Sequence, residues 1–441
     1  CSATYEGNLY LGTNQGLYMK ALNSEDKFTF IDGTQGQVWC LVKYDNNLFC
    51  GHDSGTFTVK NSSAEKISGI QGTWNIKPFD KYPDLLLQGN YNGLHILEKN
   101  GNSWRFKHKI EGFDMSTRFF EFQSDQTIFV SHEYKGVFKI DLNTDFSEVV
   151  KVKTMSIDKG PYASLTRFND DFLYAFKKGV YKYHPNSDQF IRDSILSQIY
   201  DESSYVTGKL IADEETNKLW GFSNSELSII RPGTVSSTPQ INKISLPHQI
   251  KSGVSSYESI LHLKDESYLL GTSSGYIIID LLKFKDKSYP IRFNSVSCST
   301  KNNQPIEVDL DADGQYKNEE NNFEFSYSVP NFNAYEEVKY QYQLLGIYDE
   351  WSELSQANTV AFNNLPYGDL TFNVRAKIGS DFSSNTASYT FSIGRPFILS
   401  NGMIAVYTLD IFLFSLLMHN IYKSHYKNKS EKLIIKSKKE I

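Results

Sequence analysis

The chain has 441 residues, of which 40% are hydrophobic and 22% are charged, and its formal net charge is −6 at pH 7. This length allows two or three domains, and the apolar content excludes a largely disordered chain. The negative charge excludes an extended basic surface of the kind that binds nucleic acid.

A short pair of strands returns along the first two thirds of the chain. Its first copy, residues 9–18, is an alternating apolar run, Gly12, a polar turn, Gly16 and a second alternating run. Clear copies follow at 48–57, 86–95 and 268–277, and weaker ones at 128–138, 172–181 and 219–227. Alternation with a period of two predicts strands, and two glycines around polar residues predict a tight hairpin.

The spacing of these hairpins predicts the fold of the first part of the chain. Their first small residues are separated by 38 to 50 residues, and they are Gly12, Gly51, Gly89, Ser131, Ala175, Gly221 and Gly271. A strand-rich repeat of about 40 to 50 residues is typical of β-propeller blades. We therefore predict an all-β fold that begins with a seven-bladed β-propeller over residues 1–290. The first copy starts so close to Cys1 that we expect its innermost strand to be largely absent and the chain to be a fragment.

The cysteines give little further information about the propeller. Cys1, Cys40, Cys50 and Cys298 have no metal-ligand spacing. Cys40 and Cys50 fall on adjacent strands of one predicted hairpin, but their offset register disfavours a disulfide.

The first strand of each blade lines the central channel, so side chains at the channel mouth are the default ligand surface. The candidates at this position, including two on a neighbouring turn, are Gln37, Trp39, Thr73, Trp74, Arg118, Glu121, Tyr134 and Lys135. The tryptophans and the arginine can stack on and hydrogen-bond a sugar or a peptide. The alternative is structural: Trp39 and Trp74 pack between blades, and Arg118 pairs with Glu121.

Residues 291–394 form a second all-β region without the glycine punctuation. Alternating runs at 322–327, 338–344, 359–362 and 370–376 are among about seven in roughly 100 residues, which predicts an immunoglobulin-like β-sandwich.

The motifs of this region resemble a known family. They are Tyr340-x-Tyr342-x-Leu344-x-Gly346, Asp349-Glu350-Trp351-Ser352, Asn364-Leu365-Pro366-x-Gly368 and Phe372-x-Val374-x-Ala376. Together they resemble the triple-tyrosine (Y_Y_Y) domain, and the upstream hairpins resemble the two-component regulator propeller repeat. The combination, followed by a membrane helix, resembles the sensor half of single-pass regulators of Bacteroidetes-type bacteria. The resemblance implies one of two kinds of regulator. A hybrid two-component system would imply an oligosaccharide ligand, whereas a helix-turn-helix regulator would imply no particular class of ligand.

Residues 403–422 predict one transmembrane helix. At about 1.5 Å per residue these 20 residues span roughly 30 Å, the thickness of the bilayer hydrocarbon. Asp410 is either a polar contact in a helix dimer or a protonated or snorkelling side chain. The seven lysines that follow the span predict a cytoplasmic C-terminus, with the propeller and sandwich in the periplasm and the helix in the inner membrane. Residues 423–441 are then the start of a cytoplasmic helical linker.

One motif has the spacing of a calcium loop. Asp309, Asp311 and Asp313 alternate before Gly314, and Glu320 follows after five residues. No flanking helix is predicted, and such residues also mark ordinary turns, so both interpretations stay open.

We expect a receptor rather than an enzyme, because no catalytic motif stands out. The expected partners are a small-molecule or glycan ligand, the membrane and a second copy of the chain, with no nucleic acid and no cofactor. The alternatives are a membrane-tethered polysaccharide lyase or glycoside hydrolase and a structural surface protein.

Overall fold

The structure, a computed structural model, describes a large part of the chain. The described residues are 1–200, 202, 204–224, 226–233, 238–246, 254–283, 289–300, 304–310, 314–331, 337–378 and 381–439. The chain divides into two compact units, Cys1–Asp286 and Lys287–Ile441.

Seven antiparallel sheets follow one another along the described part of the first unit, each built from consecutive strands. The first two sheets consist of β1 Ser2–Tyr5, β2 Asn8–Gly12, β3 Leu17–Ala21, β4 Thr29–Phe30, β5 Val38–Tyr44, β6 Asn47–His52, β7 Gly55–Lys60 and β8 Ser63–Ser68. The third and fourth consist of β9 Asn75–Pro78, β10 Leu85–Asn90, β11 Gly93–Asn100, β12 Ser103–Lys109, β13 Phe119–Ser124, β14 Thr127–His132, β15 Gly136–Leu142 and β16 Val149–Thr154.

The remaining sheets of this unit continue the pattern, with short 3-10 helices at Leu196–Ile199 and Leu281–Lys283. The fifth and sixth sheets consist of β17 Ser164–Phe168, β18 Asp171–Phe176, β19 Gly179–His184, β20 Gln189–Arg192, β21 Ile211–Asp213, β22 Lys218–Phe222, β23 Glu226–Arg231 and β24 Gln240–Ser245. The seventh has three described strands, β25 Ile260–Lys264, β26 Ser267–Thr272 and β27 Gly275–Asp280. Every predicted hairpin is therefore formed by the second and third strands of one sheet, and the all-β prediction is confirmed.

The hydrophobic cores of this unit lie between neighbouring sheets. One cluster packs Tyr10 of the first sheet with Phe57 of the second, and another packs Trp220 of the sixth with Tyr268 of the seventh. Four further clusters join the sheets between them in the same way. Face-to-face packing of successive four-stranded sheets is the arrangement of a β-propeller. The total of seven blades stays a prediction.

The first and the seventh sheets also contact each other. The Ser2 and Ser259 hydroxyl oxygens are 3.4 Å apart. The rings of Phe28 and Tyr276 have their centroids 6.1 Å apart. Successive sheets thus form a ring and not an open row.

The innermost strand of the first sheet is present, so the expectation that it is largely absent was wrong. Ser2–Tyr5 pairs with β2 through a turn in which Glu6 and Gly7 have positive φ angles of 46° and 74°. Four residues are too few for alternation to be recognised in the sequence.

The two glycines of the repeat serve different contacts, as the second sheet illustrates. A Cβ atom at Gly51 would lie 2.4 Å from the carbonyl oxygen of Thr73, which precedes the third sheet. A Cβ atom at Gly55 would lie 2.1 Å from the carbonyl oxygen of Ser68 in the same sheet, and its φ is +142°. The first glycine therefore permits the approach of the next sheet, and the second permits the hairpin and the outer strand.

The second unit contains a β-sandwich and one long helix. One sheet has the order β29-β28-β31-β33 and the other β30-β36-β34-β32, with β35 paired to β34. Their strands are β28 Arg292–Ser299, β29 Ile306–Glu307, β30 Gln315–Tyr316, β31 Asn322–Ser328, β32 Val338–Leu345, β33 Thr359–Phe362, β34 Gly368–Ile378, β35 Asp381–Phe382 and β36 Ala387–Ile393. Phe325 and Phe372 stack between the two sheets with ring centroids 4.0 Å apart. A 3-10 helix, Phe397–Leu399, follows the last strand.

Helix α1, Asn401–Lys439, closes the described chain. It is the single helix in the described residues that is long and apolar enough to cross a membrane, and none of its apolar window is buried. The helix is therefore not a core helix of the described part of the chain. The boundaries at residues 290, 394, 403 and 422 stay predictions.

Replacing Gly55 by alanine should strongly destabilise the propeller. The side chain would be strained at this φ and would meet the Ser68 carbonyl oxygen, and we expect a loss of about 2 to 4 kcal/mol. Gly69→Ala is the matched control, because no atom lies within 4 Å of its added Cβ. Denaturant unfolding of both variants gives the measurement, and equal stability of the two would contradict this account of the repeat.

Candidate ligand-binding face of the propeller

Aromatic rings from three sheets meet where the innermost strands begin. The ring centroids of Trp39 and Trp74 are 4.5 Å apart. Tyr257 lies 5.6 Å from Trp39, and Tyr91 lies 5.3 Å from Trp74. Tyr257 is 42% exposed, so the group presents ring surface to solvent.

Arg118 connects this aromatic group across the ring. Its guanidinium carbon lies 4.1 Å from the Tyr257 ring centroid and 5.1 Å from that of Trp74. It also donates a hydrogen bond to the carbonyl oxygen of Ser256. Arg118 precedes the fourth sheet and Tyr257 precedes the seventh, so these contacts join sheets that are not neighbours.

Lys209 and Glu258 extend the group. The Lys209 ammonium donates to the backbone carbonyl oxygen of Glu258 over 2.6 Å. The Glu258 side chain is 8% exposed, and its Oε1 accepts the backbone N–H of Ser256 over 3.1 Å. Its Oε2 and the Trp39 Nε1 are buried atoms without a hydrogen-bond partner among the described residues.

Burial dominates the electrostatics of this site. It lowers the pKa of Lys209 to about 8, with a further contribution from the nearby Arg118 charge. Burial also lowers the pKa of Arg118 and raises the pKa of Glu258. Each of these pKa shifts disfavours the charged form of the group, so an opposite charge nearby would stabilise the charged forms.

The structure brings three of the predicted ligand residues together, namely Trp39, Trp74 and Arg118. Gln37 is exposed beside them, just before β5. The Trp39–Trp74 contact also agrees with the structural alternative, because the two rings belong to neighbouring sheets. The ligand role of all eight residues stays a proposal.

Two other predicted residues are held inside the propeller. Thr73 is fully buried, and its hydroxyl lies 2.9 Å from that of Thr56 and accepts from Asn90 over 2.9 Å. Glu121 forms a salt bridge with Lys77 of the neighbouring sheet. The expected Arg118–Glu121 pair is therefore wrong, because Glu121 lies inside β13 and its carboxylate points to the third sheet's lysine.

Tyr134 and Lys135 lie on the turn between β14 and β15, and Tyr134 is 69% exposed. Lys135 lines a depression of about 520 Å³ between the fourth and fifth sheets. Lys159, Lys178 and Asp158 line the same depression.

Sequence reasoning missed Tyr91, Lys209, Tyr257 and Glu258 as site residues. Lys209, Tyr257 and Glu258 precede innermost strands, as Trp74 and Arg118 do. Counted back from the first small residue of each copy, these residues lie at offsets that vary from 12 to 15, so no single position of the repeat identifies them.

The calcium motif is only partly described. Asp311 and Asp313 lie outside the described residues. Glu320 accepts the backbone N–H of Lys317 over 2.9 Å. Within the described ranges no group of three His, Cys, Asp or Glu side chains could hold a metal ion. Calcium binding stays a prediction.

The triple-tyrosine motif contributes to the sandwich core. Tyr340 contacts Tyr327 with ring centroids 5.1 Å apart, and Tyr342 stacks on Phe372. Beside them Arg375 lies 4.2 Å from the ring centroids of both Trp351 and Phe382. The motif therefore specifies packing in the second unit.

The comparisons with known proteins agree with this architecture. The family model of the Y_Y_Y domain matches residues 331–394, so the second unit contains a Y_Y_Y domain, as predicted. None of the curated proteins matches the sequence.

Several solved structures are similar to the chain. Two of them are structures of the extracellular domain of BT4673 from B. thetaiotaomicron. The first, described as part of a proposed one-component system, is 15% identical with a TM-score of 0.46. The second, described as part of a proposed hybrid two-component system, is 16% identical with a TM-score of 0.44. Each match covers 90% of this chain and 56% of that domain, so the chain spans little more than half of its length. The extracellular domain of BT3049, a proposed hybrid two-component system of the same organism, is 14% identical, with coverages of 90% and 78% and a TM-score of 0.29. The WD40 β-propeller of Doa1 is 12% identical, with coverages of 65% and 91% and a TM-score of 0.44.

Lys209 should make the stability of the chain depend on alkaline pH. Its pKa is about 8 in the folded state against 10.5 ordinarily, so the unfolded state holds the proton more tightly. Stability should therefore rise with pH between about 8 and 10.5 in the wild type relative to Lys209→Met.

The measurement is the free energy of unfolding of both proteins across this range. Lys60→Met, at an exposed strand end, is the control and should leave the pH dependence unchanged. A constant difference between wild type and Lys209→Met at all pH values would show that Lys209 is not desolvated in the folded chain.

Proposed function

We propose that this chain is the extracytoplasmic ligand-sensing region of a membrane-spanning regulator of signal transduction or transcription. The propeller face binds a ligand, and the Y_Y_Y sandwich couples the propeller to a single membrane helix. The C-terminal end of that helix lies in the cytoplasm, and the two β units lie in the periplasm.

The observation that carries this proposal is the order of parts along one chain. A propeller with an aromatic and cationic face is followed by a Y_Y_Y domain and then by one apolar helix with no buried apolar stretch. A lone apolar helix at full exposure in water is unfavourable, and a bilayer removes that cost. Lys423, Lys427 and Lys429 directly after the apolar segment favour a cytoplasmic end.

The ligand we propose is an oligosaccharide. Exposed aromatic rings stack on the apolar faces of sugar rings, and the polar groups beside them bind hydroxyls. Trp39, Trp74 and Tyr257 supply the rings, and Arg118 supplies hydrogen-bond donors.

Signal relay requires two states that bind the ligand with different affinity. We propose that the pairing of two copies of the chain, through their sandwiches and helices, is the element with two states. Asp410 in the apolar segment is a candidate for a polar contact between the helices.

One observation favours an enzyme as the second candidate. A lysine with a pKa near 8 beside a buried carboxyl group could act as a general base on a glycan. Incubation of the full chain with acidic and neutral polysaccharides, followed by product analysis, separates the two. Turnover that Lys209→Met abolishes would establish the lyase, whereas saturable binding without product supports the receptor.

The proposed topology predicts a protease-protected C-terminus. In right-side-out membrane vesicles with an epitope after Ile441, external protease should remove the propeller and leave a short tagged fragment that contains the membrane helix. Detergent should expose the tag in the same preparation.

A variant with Lys423, Lys427 and Lys429 replaced by glutamine tests the cause of the orientation. It should lower the protected fraction, because basic residues hold this end in the cytoplasm. Digestion of the tag with retention of the propeller in intact vesicles would contradict the proposal.

A further inference from the structure

Two cations of the propeller face are positioned by carbonyl groups and not by carboxylates. Arg118 donates to the Ser256 carbonyl oxygen, and Lys209 donates to the Glu258 carbonyl oxygen. Neither forms a salt bridge with any carboxylate in the described part of the chain.

Two partly buried lysines elsewhere in the propeller form salt bridges. Lys218 is 4% exposed and lies 2.9 Å from a Glu266 oxygen. Lys139 lies 3.1 Å from an Asp188 oxygen. A desolvated cation is costly without an opposite charge, and although Glu258 attracts Arg118 and Lys209 electrostatically, neither forms a salt bridge with it.

Most of the hydrogen-bonding groups without an identified partner at this site are donors. An arginine has five N–H donors and a lysine has three, and each has one identified acceptor here. The Trp39 Nε1 is a further donor without a partner among the described residues. One buried acceptor, the Oε2 atom of Glu258, is also without a partner there.

An aromatic surface lies between these groups. The Tyr257 ring contacts both Arg118 and Trp39, and it is 42% exposed. A ligand ring stacked on this surface would lie close to the Arg118 guanidinium.

We propose that this site binds an acidic saccharide residue, with its carboxylate or sulfate group held by Arg118 and Lys209. The sugar ring stacks on the exposed aromatic surface of Tyr257 and Trp39. This inference rests on the proposed function, and it names the class of ligand and the residues that bind its charged group.

The anionic group would supply the salt bridge that neither cation forms in the described part of the chain. It would neutralise two desolvated cations at once, and charge-assisted hydrogen bonds are stronger than neutral ones. Because Lys209 must be protonated to bind an anion, affinity should fall as the pH rises above about 8.

The experiment uses the full chain in lipid nanodiscs and calorimetric titration at pH 7. The probes are trigalacturonic acid, its methyl ester and a sulfated disaccharide. The ester keeps the sugar rings and removes the charge, so it is the matched neutral ligand. We expect the acid or the sulfated probe to bind at least tenfold more tightly than the ester, and their relative affinity identifies the anionic group.

Lys209→Met should remove this preference for the anion, and Lys209→Arg should restore it. Lys60→Met, at an exposed strand end, should leave it unchanged. Thermal unfolding checks that each variant is folded, so that a lost preference reports the missing charge.

Three results would overturn the inference: equal affinity for acid and ester, no binding of either anionic probe, or an unchanged preference in Lys209→Met. Equal binding of acid and ester that Trp39→Ala abolishes would reject the acidic ligand and leave the sensor proposal intact. A vesicle topology opposite to the proposed one would reject the sensor proposal and leave the ligand site intact.

Discussion

The contact that closes the first sheet of the propeller onto the seventh is the constraint on which the rest of the first unit depends. A sheet with a neighbour on each side can bury both faces, whereas an open row would leave one apolar face of each end sheet in water. The Ser2–Ser259 and Phe28–Tyr276 contacts join the two end sheets. The first glycine of the repeat permits a similarly close approach of neighbouring sheets, since the Thr73 carbonyl oxygen occupies the space of a side chain at Gly51.

Closure also creates the candidate site. Arg118 and Ser256 are 138 residues apart in the chain, yet they share a hydrogen bond because their strands begin at the same end of the ring. The surrounding fold holds Lys209 and Glu258 with little access to water, which shifts both pKa values towards the neutral forms. A rigid ring can maintain such a costly arrangement, and a ligand of opposite charge would relieve the cost.

The sequence predicted the elements well and the site partly. Paired glycines predict hairpins because the geometry of a tight turn depends on residues that are close in the sequence. The Y_Y_Y motif predicts the sandwich because Tyr340, Tyr342 and Phe372 lie at alternating strand positions that pack in one core. Contacts across the ring leave no local pattern, so the Arg118–Tyr257 contact and the role of Lys209 could not be read from spacing. The four-residue strand Ser2–Tyr5 was missed for the opposite reason, because its local pattern is too short.

Disulfide trapping between the first and seventh sheets tests ring closure most directly. Ser2→Cys and Ser259→Cys would be combined with Cys1→Ser and Cys40→Ser, so that nearby thiols cannot compete. The native hydroxyl oxygens are 3.4 Å apart, which small rotations of the two side chains could convert to a bonded sulfur pair. We predict that mild oxidation gives an intramolecular disulfide in monomeric protein, detected by mass spectrometry of the linked peptides. Linkage only between molecules, or no linkage at all, would show that the sheets form an open array and contradict the account.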